Sequence, residues 1–195
     1  DVYKRQELRI ALTGGIGSGK SFVCSLLRTK GIEVFDCDAS AKRLMRTSKP
    51  LQQELRQVVG QTLYVEGRLQ KQVLAKFLLT GEDNQALINS IIHPAVTQDF
   101  ELSGCRWLES AIFFDSGFHR RVHIDKVICV TAPIETRILR VMKRDGITRE
   151  KTLEWIECQL PQEEVLRQSD YEIVNDGIEN VSKQIDELLT ILTKL

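Results

Sequence analysis

The chain lacks a charge excess of either sign: 27 lysines and arginines balance 27 aspartates and glutamates in 195 residues. Proteins that hold nucleic acid or membrane surfaces electrostatically usually carry a basic surplus, so neither partner is expected, although a local basic site is compatible with neutrality. Long apolar runs are also missing. None approaches a membrane span, and no secretory leader is read before the first expected strand. Cys24, Cys37, Cys105, Cys129 and Cys158 are odd in number and form no C-x-x-C pair. That argues against a disulfide framework or a zinc site, and for reduced thiols buried as small hydrophobes in a cytoplasmic protein. Of the three histidines, His119 and His123 flank a loop without an assignable partner, so a histidine metal centre has no support. The N-K-x-D signature of guanine-specific enzymes is missing, and there is no internal repeat or low-complexity segment. Residues 1–6 read as foreign, because their back-translation matches a transposase sequencing adapter, and they are set aside from the fold.

Hydrophobic residues at 42% and charged residues at 28% suit a globular core, and a single domain is expected over 7–195. Gly14, Gly15, Ile16, Gly17, Ser18, Gly19, Lys20 and Ser21 spell G-x-x-x-x-G-K-S, the phosphate-binding P-loop. A short apolar strand is predicted before it, over 8–13, and a helix after it, over 21–30, closed by Gly31. Strand, loop and helix come in the order the chemistry requires. Backbone N–H groups from Gly15 to Ser21 form an anion nest, and the helix adds the positive end of its dipole. In this motif Lys20 reaches the β- and γ-phosphates of ATP, and the Ser21 hydroxyl holds Mg²⁺.

A second strand is predicted over 32–35, ending in Asp36 and Asp38. No good strand is read between 39 and 104; helices are expected over 39–46, 50–59, 70–79 and 83–99. Further strands are expected over 106–114, 125–131 and 171–175. Pro133 is expected to open a helix at its first turn, and another helix is expected over 148–159. A last helix carries Val181, Ile185, Leu188, Leu189, Leu192 and Leu195 on one stripe. Strands alternating with helices around a P-loop imply an α/β fold, a mostly parallel sheet with helices on both faces. The expected core is 7–38, 105–134 and 162–195, with a helical acceptor-binding insertion over 39–104 and a helical lid over 135–161.

Phosphoryl transfer needs positioning and charge cancellation more than covalent chemistry. Asp36 and Asp38 are the candidates for the carboxylate that receives the acceptor's proton, with Asp38 preferred; either could merely cap the helix that follows. Arg137, Arg140 and Arg144 share a helix face and suit phosphate oxygens; the alternative is a solvated basic face, which local pairing with Glu135 or Asp145 could produce without function. Glu109 and Asp115 are candidate metal-side carboxylates, with Glu109 facing solvent on an edge strand as the alternative. His93 precedes Pro94 inside a helical pattern, where proline should kink or end the helix. The pair reads either as a helix junction or as a wall of the acceptor pocket.

The ordered set of motifs resembles the dephospho-coenzyme A kinase family. It comprises the run L-T-G-G-I-G-S-G-K-S from Leu12, D-x-D at Asp36 and Asp38 with Ala41, Lys42, Arg43 and Leu44, and G-R-L at Gly67. It continues with His93 and Pro94, R-x-x-x-R-D-G from Arg140, Q-x-P from Gln159, and D-x-x-I/V-x-N ending at Asn175. The resemblance implies ATP-dependent phosphorylation of the ribose 3′-hydroxyl of dephospho-CoA. It implies that Asp38 is the catalytic base and that Lys20 and Arg140 contact phosphates. Arg144 joins the P-loop in binding ATP, Asn175 lies by the adenine, and Asp36, Asp38 and His93 are on the acceptor side. The chain departs from the family where Phe114 and Asp115 stand for F-E and Ala111 replaces a proline, and where Phe22 stands for a common Thr. The expected partners are small molecules only, with a monomer or weak homo-oligomer. The rival readings are a P-loop kinase for a nucleoside, shikimate or gluconate, and a nucleotide-binding protein without catalysis; the intact Lys20 and Asp38 speak against the latter.

Overall fold

The computed structural model describes residues 8–195; the six set-aside residues lie outside them. In chain order the elements are β1 (Ile10–Thr13), α1 (Lys20–Thr29), β2 (Val34–Asp36), α2 (Cys37–Thr47), α3 (Lys49–Val59), β3 (Tyr64–Val65), β4 (Arg68–Leu69) and α4 (Lys71–Leu79). They continue with α5 (Asn84–Ser103), β5 (Trp107–Glu109), β6 (Lys126–Thr131), α6 (Ile134–Asp145), α7 (Arg149–Glu157), α8 (Gln162–Arg167), β7 (Tyr171–Val174) and α9 (Val181–Leu192). Two compact units result: the chain up to Phe35 together with Cys105–Leu195, and Asp36–Gly104. Among the described residues no helix is long and apolar enough to cross a membrane.

The first unit is built on a sheet in the order β2-β5-β1-β6-β7. Strand β1 pairs in parallel with β5 and β6, and β6 with β7. β1 is buried at every position, as a central strand covered on both faces must be. The core packs Ile10, Leu12, Ile128, Val130 and Ile173 of the sheet against Val23 and Leu27 of α1 and Val181, Ile185 and Leu188 of α9. The stripe on the last helix therefore faces the core, except that Leu195 lies beyond its end and is exposed. The strand predicted over 106–114 stops at Glu109, and residues 111–116 turn instead. Here Phe113 buries its ring edge-on to Phe114 and Phe118, so the apolar run is a folded corner and not an extended strand.

The second unit packs α2 and α3 against α5. Ser40 and Arg43 of α2 both hydrogen-bond the Asp99 carboxylate on α5. Burial pushes that carboxyl up, but these two donors outweigh it and hold it below its usual value. The Tyr64 hydroxyl donates to the Met45 carbonyl at 2.8 Å, and Leu51, Leu55, Leu63, Ile88, Val96 and Phe100 form apolar packing. Two findings differ from the sequence reading. Residues 64–69 form a small antiparallel hairpin, β3–β4, whose turn carries Glu66 at φ 50° and Gly67 at φ 76°. Helix α5 also runs through Pro94 to Ser103 without ending.

Candidate functional site

The P-loop leaves β1 at Thr13 and enters α1 at Lys20. Gly19, the N-cap of α1, has φ 93° and ψ 30°, a left-handed conformation, and no side chain caps the helix. The start of α1 thus keeps its positive dipole end without a side-chain oxygen over it. Gly17 is also left-handed at φ 79°, and a Cβ there would stand 2.6 Å from the Arg137 carbonyl oxygen. A Cβ on Gly15 would strike the Arg137 guanidinium, and one on Gly19 the Asn175 amide. These glycines are required because α6 and the end of β7 press on the loop, not only because of backbone freedom.

Lys20 Nζ donates to the Gly14 carbonyl at 2.8 Å and lies 3.8 Å from Glu109 Oε1. Glu109 ends β5 in register with Leu12 of β1. Because β5 lies between β2 and β1, the solvent-facing edge reading of Glu109 is overturned: its carboxylate sits beside the P-loop lysine. Ser21 is exposed in the first turn of α1.

The three arginines of α6 have separate environments. Arg137 is buried, and its Nε donates to the Ile16 carbonyl at 2.9 Å; burial holds its pKa below the usual arginine value. Arg140 Nη1 is 3.3 Å from the carbonyls of both Gly17 and Ser18, and Nη2 is 3.4 Å from Asn175 Oδ1. Asn175 is buried, and its Nδ2 donates to the Ser18 carbonyl at 2.9 Å. Arg144 instead makes a two-pronged contact with its neighbour Asp145, at 2.8 and 2.7 Å. Lys20, Glu109, Arg137, Arg140 and Asn175 therefore converge on the loop, while Arg144 is engaged outside it. The Ser18 hydroxyl is buried beneath the loop with no partner among the described residues.

The sequence model of the dephospho-CoA kinase family matches residues 8–180. The chain belongs to that family. A Bacteroides fragilis dephospho-CoA kinase is 35% identical over 192 residues, spanning 95% of this chain and 93% of its own. A Thermus thermophilus dephospho-CoA kinase is 34% identical over 191 residues, spanning 94% and 91%. A crystal structure from Thermus thermophilus matches with a TM-score of 0.74 at 32% identity, covering 95% of this chain and 96% of its own. More distant structures share the fold. Dephospho-CoA kinase from Campylobacter jejuni has a TM-score of 0.58 at 18% identity, with 95% of each chain covered. Shikimate kinase from Acinetobacter baumannii has 0.55 at 13%, with 97% and 94% covered. The architecture is thus that of a P-loop kinase.

The acceptor-side candidates of this dephospho-CoA kinase family member lie in the second unit. Asp36 accepts the Ala39 N–H at 2.8 Å and so caps α2. Asp38, in the first turn of the same helix, is exposed. His93 is buried on α5.

Sequence reasoning named Gln159 and Asp115 but missed the contacts they make. Gln159 Oε1 accepts the Ile16 N–H at 2.8 Å, and the adjacent Leu160 N–H donates to Asp115 Oδ2 at 2.7 Å. Asp115 thus holds the chain after α7. The Q-x-P motif was the available signal for Gln159, but a side chain 143 residues away in sequence cannot be paired with Ile16 by local pattern.

Proposed function

We propose that this chain transfers the γ-phosphoryl group of ATP to the 3′-hydroxyl of the ribose of dephospho-CoA, yielding coenzyme A and ADP, the last step of coenzyme A synthesis. One observation carries the reading: an intact P-loop, with Lys20 between the Gly14 carbonyl and the Glu109 carboxylate, in a chain of the dephospho-CoA kinase family.

The acceptor oxygen attacks the γ-phosphorus in line, the bond to the β,γ-bridging oxygen breaks, and ADP carries away that electron pair. Asp38 accepts the hydroxyl proton and later loses it to solvent. Lys20 exchanges its Gly14 and Glu109 partners for phosphate oxygens, and Arg140 spreads its charge over the transferring group. Arg144 joins the ATP side by exchanging Asp145 for phosphate, and Asn175 stands on the adenine side. Asp36 and His93 shape the acceptor side. The exposed Ser21 hydroxyl, the uncapped start of α1 and the glycine cradle suit a triphosphate with its metal. Ser21 would hold Mg²⁺, whose chemistry is neutralisation of phosphate charge. In this reading residues 39–104 hold the acceptor and 135–161 form a lid. The protein works in the cytoplasm on small molecules, as a monomer or weak homo-oligomer.

The test is ADP release by a coupled assay with Mg-ATP, with and without dephospho-CoA, and identification of the product. Acceptor-dependent turnover to CoA is expected. ATP binding without such turnover would overturn the substrate, and a panel with shikimate, gluconate and nucleosides would follow.

A further inference from the structure

Strand β7 ends the sheet on one side, and among the described residues no further strand pairs with it. Its inner edge bonds to β6. On its outer edge a side chain takes the place of a neighbouring strand. The Gln184 amide, from α9, accepts the Val174 N–H at 2.8 Å and donates to the Val174 carbonyl at 2.8 Å. One amide thus satisfies both backbone groups of one residue, as a further strand of the ladder would. Val174 is the last residue of β7, so this hold sits at the point where the strand delivers its next residue, Asn175, to the P-loop.

The Asn175 N–H donates to the Thr131 carbonyl at 2.8 Å. The chain is therefore pinned from the inner side at Asn175 and from the outer side at Val174, just before Gly177 turns it at φ 89°. Pinned in this way, the buried Asn175 side chain spans two parts of the phosphate cradle. Its Nδ2 donates to the Ser18 carbonyl at 2.9 Å, and its Oδ1 faces Arg140 Nη2 at 3.4 Å. The fit is close, since a Cβ on Gly19 would stand 2.0 Å from Asn175 Nδ2. The Ser18 carbonyl and the Gly19 N–H belong to one planar trans peptide, so they point in opposite directions. By drawing the carbonyl to its own side, Asn175 aims the Gly19 N–H to the other. In a P-loop that N–H belongs to the anion nest, and a rotated peptide would offer the phosphates an oxygen instead.

We infer that Gln184 is a positioning residue for ATP: through Val174 it fixes Asn175, and through Asn175 it fixes the Ser18–Gly19 peptide and the Arg140 guanidinium. The inference rests on the reading of ATP as phosphoryl donor and deepens it. It gives α9, whose apolar stripe faces the core, a second role on its polar side, one remove from the nucleotide. An amide that merely covered the sheet edge would add to stability and leave nucleotide affinity alone.

The experiment compares wild type with Q184L, which keeps the side chain's size and removes both hydrogen bonds, with N175A and with Q184L/N175A. K183Q, at an exposed cation of α9 that pairs with Glu187, is the control. Thermal melts confirm folding of each. Where Q184L does not fold, Q184E replaces it, since it still accepts from the Val174 N–H but cannot donate to the carbonyl. ATP affinity is read by calorimetric titration without acceptor, and kcat and KM with dephospho-CoA. Q184L is expected to raise Kd for ATP roughly threefold to tenfold and to lower kcat, with KM for dephospho-CoA unchanged. K183Q matches wild type throughout. Q184L/N175A is expected to match N175A to within about twofold, because without Asn175 the amide has no route to the loop. Wild-type ATP affinity in folded Q184L, or single losses that multiply in the double variant, overturns the inference. If wild type binds ATP but does not phosphorylate dephospho-CoA, the kinase reading fails separately and the ATP titrations still decide. Absence of ATP binding by wild type overturns both.

Discussion

The side-chain carbonyl of Gln159 accepts the backbone N–H of Ile16 at 2.8 Å, which ties the chain after α7 to the P-loop. Leu160, the next residue, is held by Asp115 at 2.7 Å. A neutral hydrogen bond of this kind contributes about 1 kcal/mol. Gln159→Ala is expected to raise KM for ATP by up to roughly tenfold with a small change in Tm. Gln159→Glu can still accept from Ile16, but it brings a negative charge to an anion-binding loop. It should therefore weaken ATP binding more than alanine does. Calorimetric titration of ATP into both variants checks the order; equal or reversed effects would contradict the placement.

Asp36 and Asp38 should separate by variant. Asp36 caps α2 through the Ala39 N–H, so Asp36→Ala is expected to cost about 1 kcal/mol of stability. Asp38 caps nothing and is exposed, so Asp38→Asn should leave the melt unchanged, abolish turnover and preserve ATP binding. Near-normal turnover in Asp38→Asn removes it as the base.

Arg137 and Arg140, one turn apart, should differ in the same way. Arg137 is buried with its guanidinium beneath Gly15 and donates to the Ile16 carbonyl. Arg137→Ala leaves a cavity and an unpaired carbonyl, at a cost of about 2 kcal/mol or more, or roughly 4–8 °C in Tm. Arg140→Ala should lower kcat by a larger factor than it lowers Tm, because its contacts to the loop carbonyls are long, at 3.3 Å. Differential scanning calorimetry alongside steady-state kinetics tests the split.

Cys129 sets a pH dependence. Its thiol is pushed up to about 12, first by burial and then by the Glu172 carboxylate, against the opposing charges of Lys20 and Arg137. The folded protein therefore keeps a proton that the unfolded chain releases. The stabilisation is complete below the unfolded thiol's pKa of about 8.5 and is lost as pH rises toward the folded value. Wild type should lose stability more steeply above pH ~9 than Cys129→Ala, by up to about 1.4 kcal/mol per pH unit. Parallel denaturation curves would disprove it. Native thiol labelling should reach exposed Cys158 and spare Cys129.

The loop, its strand and its helix are legible in the chain because their signals are local: β1 and α1 fall within two residues of their predicted limits. The strand expected over 106–114 is misleading, since Phe113 and Phe114 look extended in sequence yet pack edge-on in a corner. Continuation of α5 through Pro94 is likewise outside local reach, because propensity predicts a break that tertiary packing overrides. The arginine comb is visible by spacing, but the division of its members among Ile16, Ser18 and Asp145 depends on how α6 meets the loop. Glu109 beside Lys20 required the strand order, which places β5 next to β1.

The near contact of the Arg137 backbone with Gly17 also limits how the segment after Pro133 can move. One end is anchored at the root of α6, and the other is fastened at Gln159 and Leu160. If the span acts as a lid, attachment at both ends restricts it to the motion of a bucket's handle: it can lift only through its middle, around α7, and has no single pivot to swing from.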